Sequence, residues 1–196
     1  MEAIKTLKGK NQTLEIFADE NPESPRTWDN LAKMIFFGKQ EHIGDKHNVE
    51  LEGGFNDRFD FMLRGADQVR KQLKDVVICK PVHIYDHSGI SISTSFTYPF
   101  NCQWDSGTIG FAVVTKADIR EAYSTKRITK KHIEQADKIL ENEIEVLNQY
   151  LTGDVYGFKL LDKKGIEVDS CWGFYGSDFK MNGMLDYVDG EFLELV

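Results

Sequence analysis

Asp45, His47, His83, Asp86 and His87 are side chains of the types that hold divalent metals and form the candidate metal group of this sequence. Imidazole nitrogen together with carboxylate oxygen suits zinc, manganese or iron. In a strand His83 and His87 would share a face, but Asp86 and His87 fall in a turn, and Asp45 and His47 come from a distant loop. No closely spaced pair among them matches a known metal motif. The plainer reading gives Asp86 and Ser88 to turn amides and packs His83 beside Tyr85. A divalent metal is the one cofactor these residues could hold; otherwise none is expected.

Nucleophilic chemistry finds less support. Cys102 or Cys171 would need an imidazole to stabilise its thiolate. Cys171-Trp172 is superficially similar to thiol-protease surroundings, yet those enzymes place their base downstream, and every histidine here precedes residue 133. A small apolar role at a strand end is the expectation. Ser88 and Ser106 each precede Gly but lack the flanking glycines of a nucleophile elbow. Gly153–Gly157 and Gly173–Gly176 lack the Lys and following helix of a phosphate loop. Lys126, Arg127, Lys130 and Lys131 form a basic cluster before a long helix, with a solvated face as the default reading.

Aromatics give the stronger site signal. Four blocks, Tyr85–Gly89, Trp104–Gly107, Gly153–Gly157 and Asp169–Gly176, mix Gly, an acid and large rings. The set Trp104, Tyr156, Phe158, Trp172, Phe174 and Tyr175 offers contact area for a base, a peptide or a protein. Trp104, Asp105, Asp154, Tyr156, Trp172, Phe174 and Tyr175 are therefore the expected binding surface. Strict alternation would put Trp172 and Phe174 on one strand face, and Cys171, Gly173 and Tyr175 on the other.

The elements that position these residues follow from periodicity. Residues 12–18 alternate as a strand. Ser24-Pro25 suits a helix start, and Trp28, Leu31, Ala32, Ile35 and Phe36 follow at helical spacing up to Gly38. Residues 39–56 read as a long loop, and Asn56 or Asp57 caps a helix to about residue 74. Strands over 76–85 and 90–94 join across Asp86–Gly89, with Gly89 at the left-handed position. An irregular segment over 95–107 leads to a strand over 108–115 and a short helix over 116–123. The clearest helix covers 130–151, with Thr129 as cap and Gly153 at its end. Strands over 154–161 and 165–171 form a hairpin, and the acidic stretch 182–196 reads as a loosely attached strand. The expected fold is α+β, a single domain over 1–181 on a mainly antiparallel sheet with three to four helices.

The chain has 196 residues with 41% hydrophobic and 12% aromatic content, enough for a packed core. Its net charge of −8 disfavours general nucleic-acid or anionic-membrane binding and leaves room for a basic partner. Three widely spaced cysteines fit a reducing compartment, and no signal peptide or membrane span is read. The expectation is a cytoplasmic protein.

Glu20–Arg26 with Trp28–Leu31, Ile43–His47, Tyr85–Ile90, Trp104–Gly107, Tyr150–Gly157 and Asp169–Gly176, in this order, resemble a family of bacteriophage and prophage accessory proteins. The resemblance spans roughly residues 15–178. It implies a small cytoplasmic protein of an infected or lysogenic bacterium and brings no catalytic residues with it. The leading expectation is a non-enzymatic accessory protein that binds a host protein or protein–nucleic-acid complex, inhibiting a nuclease-based defence of the CRISPR or restriction type. A metal-dependent enzyme acting on nucleotides or nucleic acid is the alternative. A third reading is a binder of a small signalling nucleotide, with aromatics for stacking and Lys126–Lys131 for phosphate.

Overall fold

The computed structural model describes residues 2–95, 102 and 104–195. The protein is α+β. Among the described residues the strands are β1 (Lys5–Lys8), β2 (Gln12–Ala18), β3 (Lys33–Phe36), β4 (Val76–Asp86), β5 (Ile90–Thr94), β6 (Ser106–Thr115), β7 (Val155–Asp162) and β8 (Glu167–Tyr175). The α-helices are α1 (Arg58–Asp60), α2 (Ala66–Gln72), α3 (Lys116–Ala122) and α4 (Lys130–Thr152). A wider π-type turn, Phe61–Gly65, links α1 to α2. All strand pairing is antiparallel, in two four-stranded sheets ordered β1-β2-β7-β8 and β3-β6-β4-β5. The chain divides into two compact units, Met1–Ser24 with Gln149–Val196, and Pro25–Asn148.

In the first unit, Leu7, Leu14, Ile16, Phe158, Leu160 and Phe174 form one buried sheet face. The β7–β8 hairpin is where the sequence places it. Asp162 closes the turn by accepting the Lys164 and Ile166 amides on its carboxylate, at 2.8 and 2.9 Å. The C-terminal stretch corrects the expectation of a loose strand. It forms 3-10 turns over Met184–Tyr187 and Gly190–Glu194, and Met184, Leu185 and Phe192 join the core. Asp186, Asp189 and Glu194 face outward while Met184, Leu185 and Phe192 pack, a division that composition alone hides.

In β8 the strict alternation also fails. Tyr156 pairs with Phe174 but Gly157 pairs with Trp172, so Gly173 is an extra residue, held at φ +84°. This left-handed conformation is open to Gly and builds a bulge that shifts the pleat by one position. Cys171 and Phe174 consequently both turn to the core, and Trp172 meets Phe17 on the opposite face.

In the second unit, β4 and β6 form the centre of the sheet and are buried on both faces. Ile35, Cys79, Phe111 and Val113 pack on one face against Val49, Ala66 and Val69. On the other face Lys80 reaches across to α4, its Nζ 2.7 Å from Asp137 and 2.8 Å from Glu141. The helix expected over 25–37 is absent: a single 3-10 turn, Pro25–Thr27, leads into β3. Met34, Ile35 and Phe36 are all buried, because β3 carries apolar residues to both faces. A run apolar on every side satisfies helical and extended spacing alike.

The other local signals act as read. Asp57 caps α1 by accepting the Phe59 and Asp60 amides at 2.8 and 2.9 Å. Thr115 and Asp118 add a reciprocal capping box at α3, beyond what was expected from the sequence. Beyond α4 the Gly153 N–H donates to Tyr150 O and the Asp154 N–H to Gln149 O, closing the helix end. Among the described residues no helix is long and apolar enough to cross a membrane.

Candidate functional site

The β4–β5 hairpin and the start of β6 bring together residues from two of the sequence blocks. His87 N–H donates to Gly89 O, and Ser88 rather than Gly89 takes the left-handed conformation, at φ 57°; Gly89 is at 159°. Ser88 Oγ donates to His87 O at 2.6 Å, the local side-chain bond that lets Ser serve as a turn former. Asp86 N–H donates to Asp105 O at 2.7 Å, which carries the ladder past the end of β4. His87 Nδ1 lies 3.0 Å from Asp105 Oδ2, and the Cys102 thiol donates to that same oxygen at 3.4 Å. Trp104, beside this carboxylate, is 91% exposed. Most of the irregular segment expected over 95–107 lies outside the described residues.

His87, Asp105 and Cys102 make a solvated cluster with the carboxylate in the middle. Nucleophilic sulfur chemistry needs the imidazole against the sulfur. Here the thiol's neighbour is a carboxylate, which also holds His87, and Trp104 precedes it in sequence. Ser106 Oγ donates to Cys102 O and ties the cysteine back to β6.

The five expected metal ligands do not assemble. Among the described residues no group of three His, Cys, Asp or Glu is placed to hold a metal ion. Asp45 is committed to a structural network: its carboxylate accepts Arg26 Nε at 3.1 Å and Met34 N–H at 2.7 Å, and Arg26 Nη2 completes a two-pronged bond. His47 accepts Val49 N–H on Nδ1, so its Nε2 carries the proton donated to Phe36 O at 2.8 Å. His83 is fully buried between Thr108 Oγ1 and Ser95 O, both at 2.9 Å. Desolvation pushes its protonation below the ordinary imidazole range, with Arg58 adding to the effect. Asp86 and His87 reach Asp105 instead.

The rest of the expected binding surface belongs to the first unit. Phe174 is core, 7% exposed, because of the bulge at Gly173. Tyr156 donates its hydroxyl to Asp154 at 2.8 Å, and burial followed by that carboxylate pushes the phenol up to about 12. Tyr175 donates to Glu23 O and is likewise raised to about 12, by burial and then by Glu23 and Asp19. Trp172, 37% exposed, lies over Gly157, where a Cβ would sit 2.1 Å from the indole. Of the aromatic set, Trp104 and Trp172 are the rings offered to solvent.

Residues that carry more of the architecture were not signalled as a group. Glu143 of α4 accepts the Leu31 and Ala32 amides at 2.7 and 3.1 Å and lies 3.6 Å from Arg26. Burial pushes its carboxyl up, against the pull of those amides and of Arg26. Arg26 and Asp45 lie nineteen residues apart in sequence, and no motif pairs them. The basic cluster lies at the start of α4, where Thr129 and His132 exchange two 3.3 Å bonds as a cap and His132 stacks on Tyr123.

Charge is divided unevenly. The first unit holds fourteen acids and seven bases, a net −7, whereas the second holds eighteen and seventeen, a net −1. No protein-family model, no curated protein and no solved structure matches this chain.

Proposed function

We propose that this protein acts by binding a host macromolecule, as a phage accessory protein directed at a nuclease-based defence complex. The observation that carries the reading is Trp104, 91% exposed beside the Asp105–His87 pair. Covering a Trp ring is worth about 4–6 kcal/mol before the costs of association. Exposed indole with a polar rim is the composition of an interface hot spot. The net charge of −8 of the chain favours a basic partner, the kind of surface that nucleic-acid enzymes present. The resemblance of the sequence blocks to phage accessory proteins suggests the biological setting of this proposal.

The test is affinity capture from bacterial lysate with the wild-type protein and with Trp104→Ala, after both show the same thermal midpoint. A species retained by the wild type and lost with the variant supports the reading, and its nuclease activity should fall when the wild-type protein is added. No retained species, or equal retention by both, defeats it.

A further inference from the structure

A cavity of about 500 Å³ opens in the second unit, between β3, residues 45–49 and the end of α2. Its floor is apolar: Ile35 and Val49 belong to the buried cluster of this face, and Leu73 packs against them. Its rim carries Lys33 and Lys46, both exposed. The two residues that could oppose an anion or compete for it are already engaged. Asp45 is matched by Arg26, and His47 spends one ring nitrogen on Phe36 O and the other on Val49 N–H. Asn48 adds a neutral carboxamide to the lining.

The size lies within the range of about 300–1,000 Å³ typical of small-molecule sites. Among the described residues that line it, no Phe, Tyr or Trp ring offers a platform for a stacked base, and the His47 imidazole is already packed edge-on against Phe37. An apolar floor under two ammonium groups fits a molecule with an aliphatic body and an anionic head. The body covers Leu73, the half-buried apolar residue of the lining, against the buried Ile35 and Val49, and the head is drawn to two cations. We infer that this cavity binds a small aliphatic anion, a carboxylate or phosphate monoester, with Lys33 and Lys46 on its head group.

This site is independent of the Trp104 surface and is tested by calorimetric titration at low ionic strength with octanoate, octyl phosphate, 1-octanol, acetate and inorganic phosphate. The expected result is saturable one-to-one binding of at least one octyl anion. Octanol, acetate and inorganic phosphate should each bind at least tenfold more weakly. Lys33→Ala with Lys46→Ala, both at exposed positions, should weaken the octyl anion at least tenfold at an unchanged thermal midpoint. The tighter of the two octyl anions identifies the head group. Overturning results are no binding of either octyl anion, equal binding of octanol, equal binding of the short anions, or a double variant that binds as the wild type does.

Discussion

Gln68 and Gln72, one turn apart on α2, each grip both backbone groups of one residue in the extended segment before α1. Gln68 accepts Glu52 N–H at 2.6 Å and donates to Glu52 O at 3.0 Å; Gln72 does the same for Glu50, at 3.0 and 2.6 Å. The match is geometric: four residues of helix rise about 6.0 Å, and two residues of extended chain span about 6.6 Å. Two carboxamides therefore stand in for a neighbouring strand, and Val49 and Leu51 are held toward the core.

Replacing either Gln by Ala should cost about 1 kcal/mol, since water can take over the exposed groups. The double variant should depart from additivity, because both bonds order one segment. Amide exchange at Glu50 and Glu52 is the direct measurement, and it should accelerate before that of the β4 amides.

Arg26→Ala should be the most damaging change in the second unit. It strips the partner from Asp45 and leaves Glu143 more dependent on backbone donors, with the Arg26 and Glu143 side chains only 8% and 12% exposed. Breaking a buried ion pair from one side costs about 3–5 kcal/mol. Urea unfolding should show that loss, and Arg26→Lys should recover only part of it, because an ammonium cannot fork onto a carboxylate.

Acid stability should report His83. Its protonation in the folded state is held below the ordinary value of 6.5 by burial. Above that value neither state binds the proton, so the group is silent. As pH falls through it the unfolded chain takes up a proton first, and stability drops by up to about 1.4 kcal/mol per pH unit. The drop continues until the folded-state value is reached. His83→Gln should remove this component from the difference between unfolding curves at pH 7 and pH 5. Identical pH slopes in the two proteins would count against the assignment.

Thiol labelling should separate the cysteines. Cys79 is buried and desolvation raises its thiol to about 11, so it should react only after unfolding. Cys102 and Cys171 are partly exposed and should label in the native protein. Mass spectrometry of the labelled peptides checks the order.

Much of the fold was legible wherever the signal is local. The β4–β5 and β7–β8 hairpins, α3 and α4 with its closing Gly153 all stand where alternation and end residues place them. The segment 25–37 was misread because Leu31, Ala32, Ile35 and Phe36 fit a helical stripe while β3 is buried on both faces. Phe174 was misassigned because one extra residue, Gly173, shifts the alternation; a Gly inside a strand run is the signal of a bulge that strict alternation passed over. Trp104 and Asp105 were legible as a block. The 3.0 Å approach of His87 was not, since it depends on a strand register eighteen residues away.

The bulge at Gly173 has a second effect. β8 is the outermost strand of its sheet, and between Leu160 and Leu161 its pairing slips again, around Val168. Two such irregularities in nine residues throw the outward amides and carbonyls out of step, leaving only a short regular stretch to template another strand. The feature that sends Phe174 inward thus also guards a long, acidic edge against fibril-like growth, and the sheet stops at four strands.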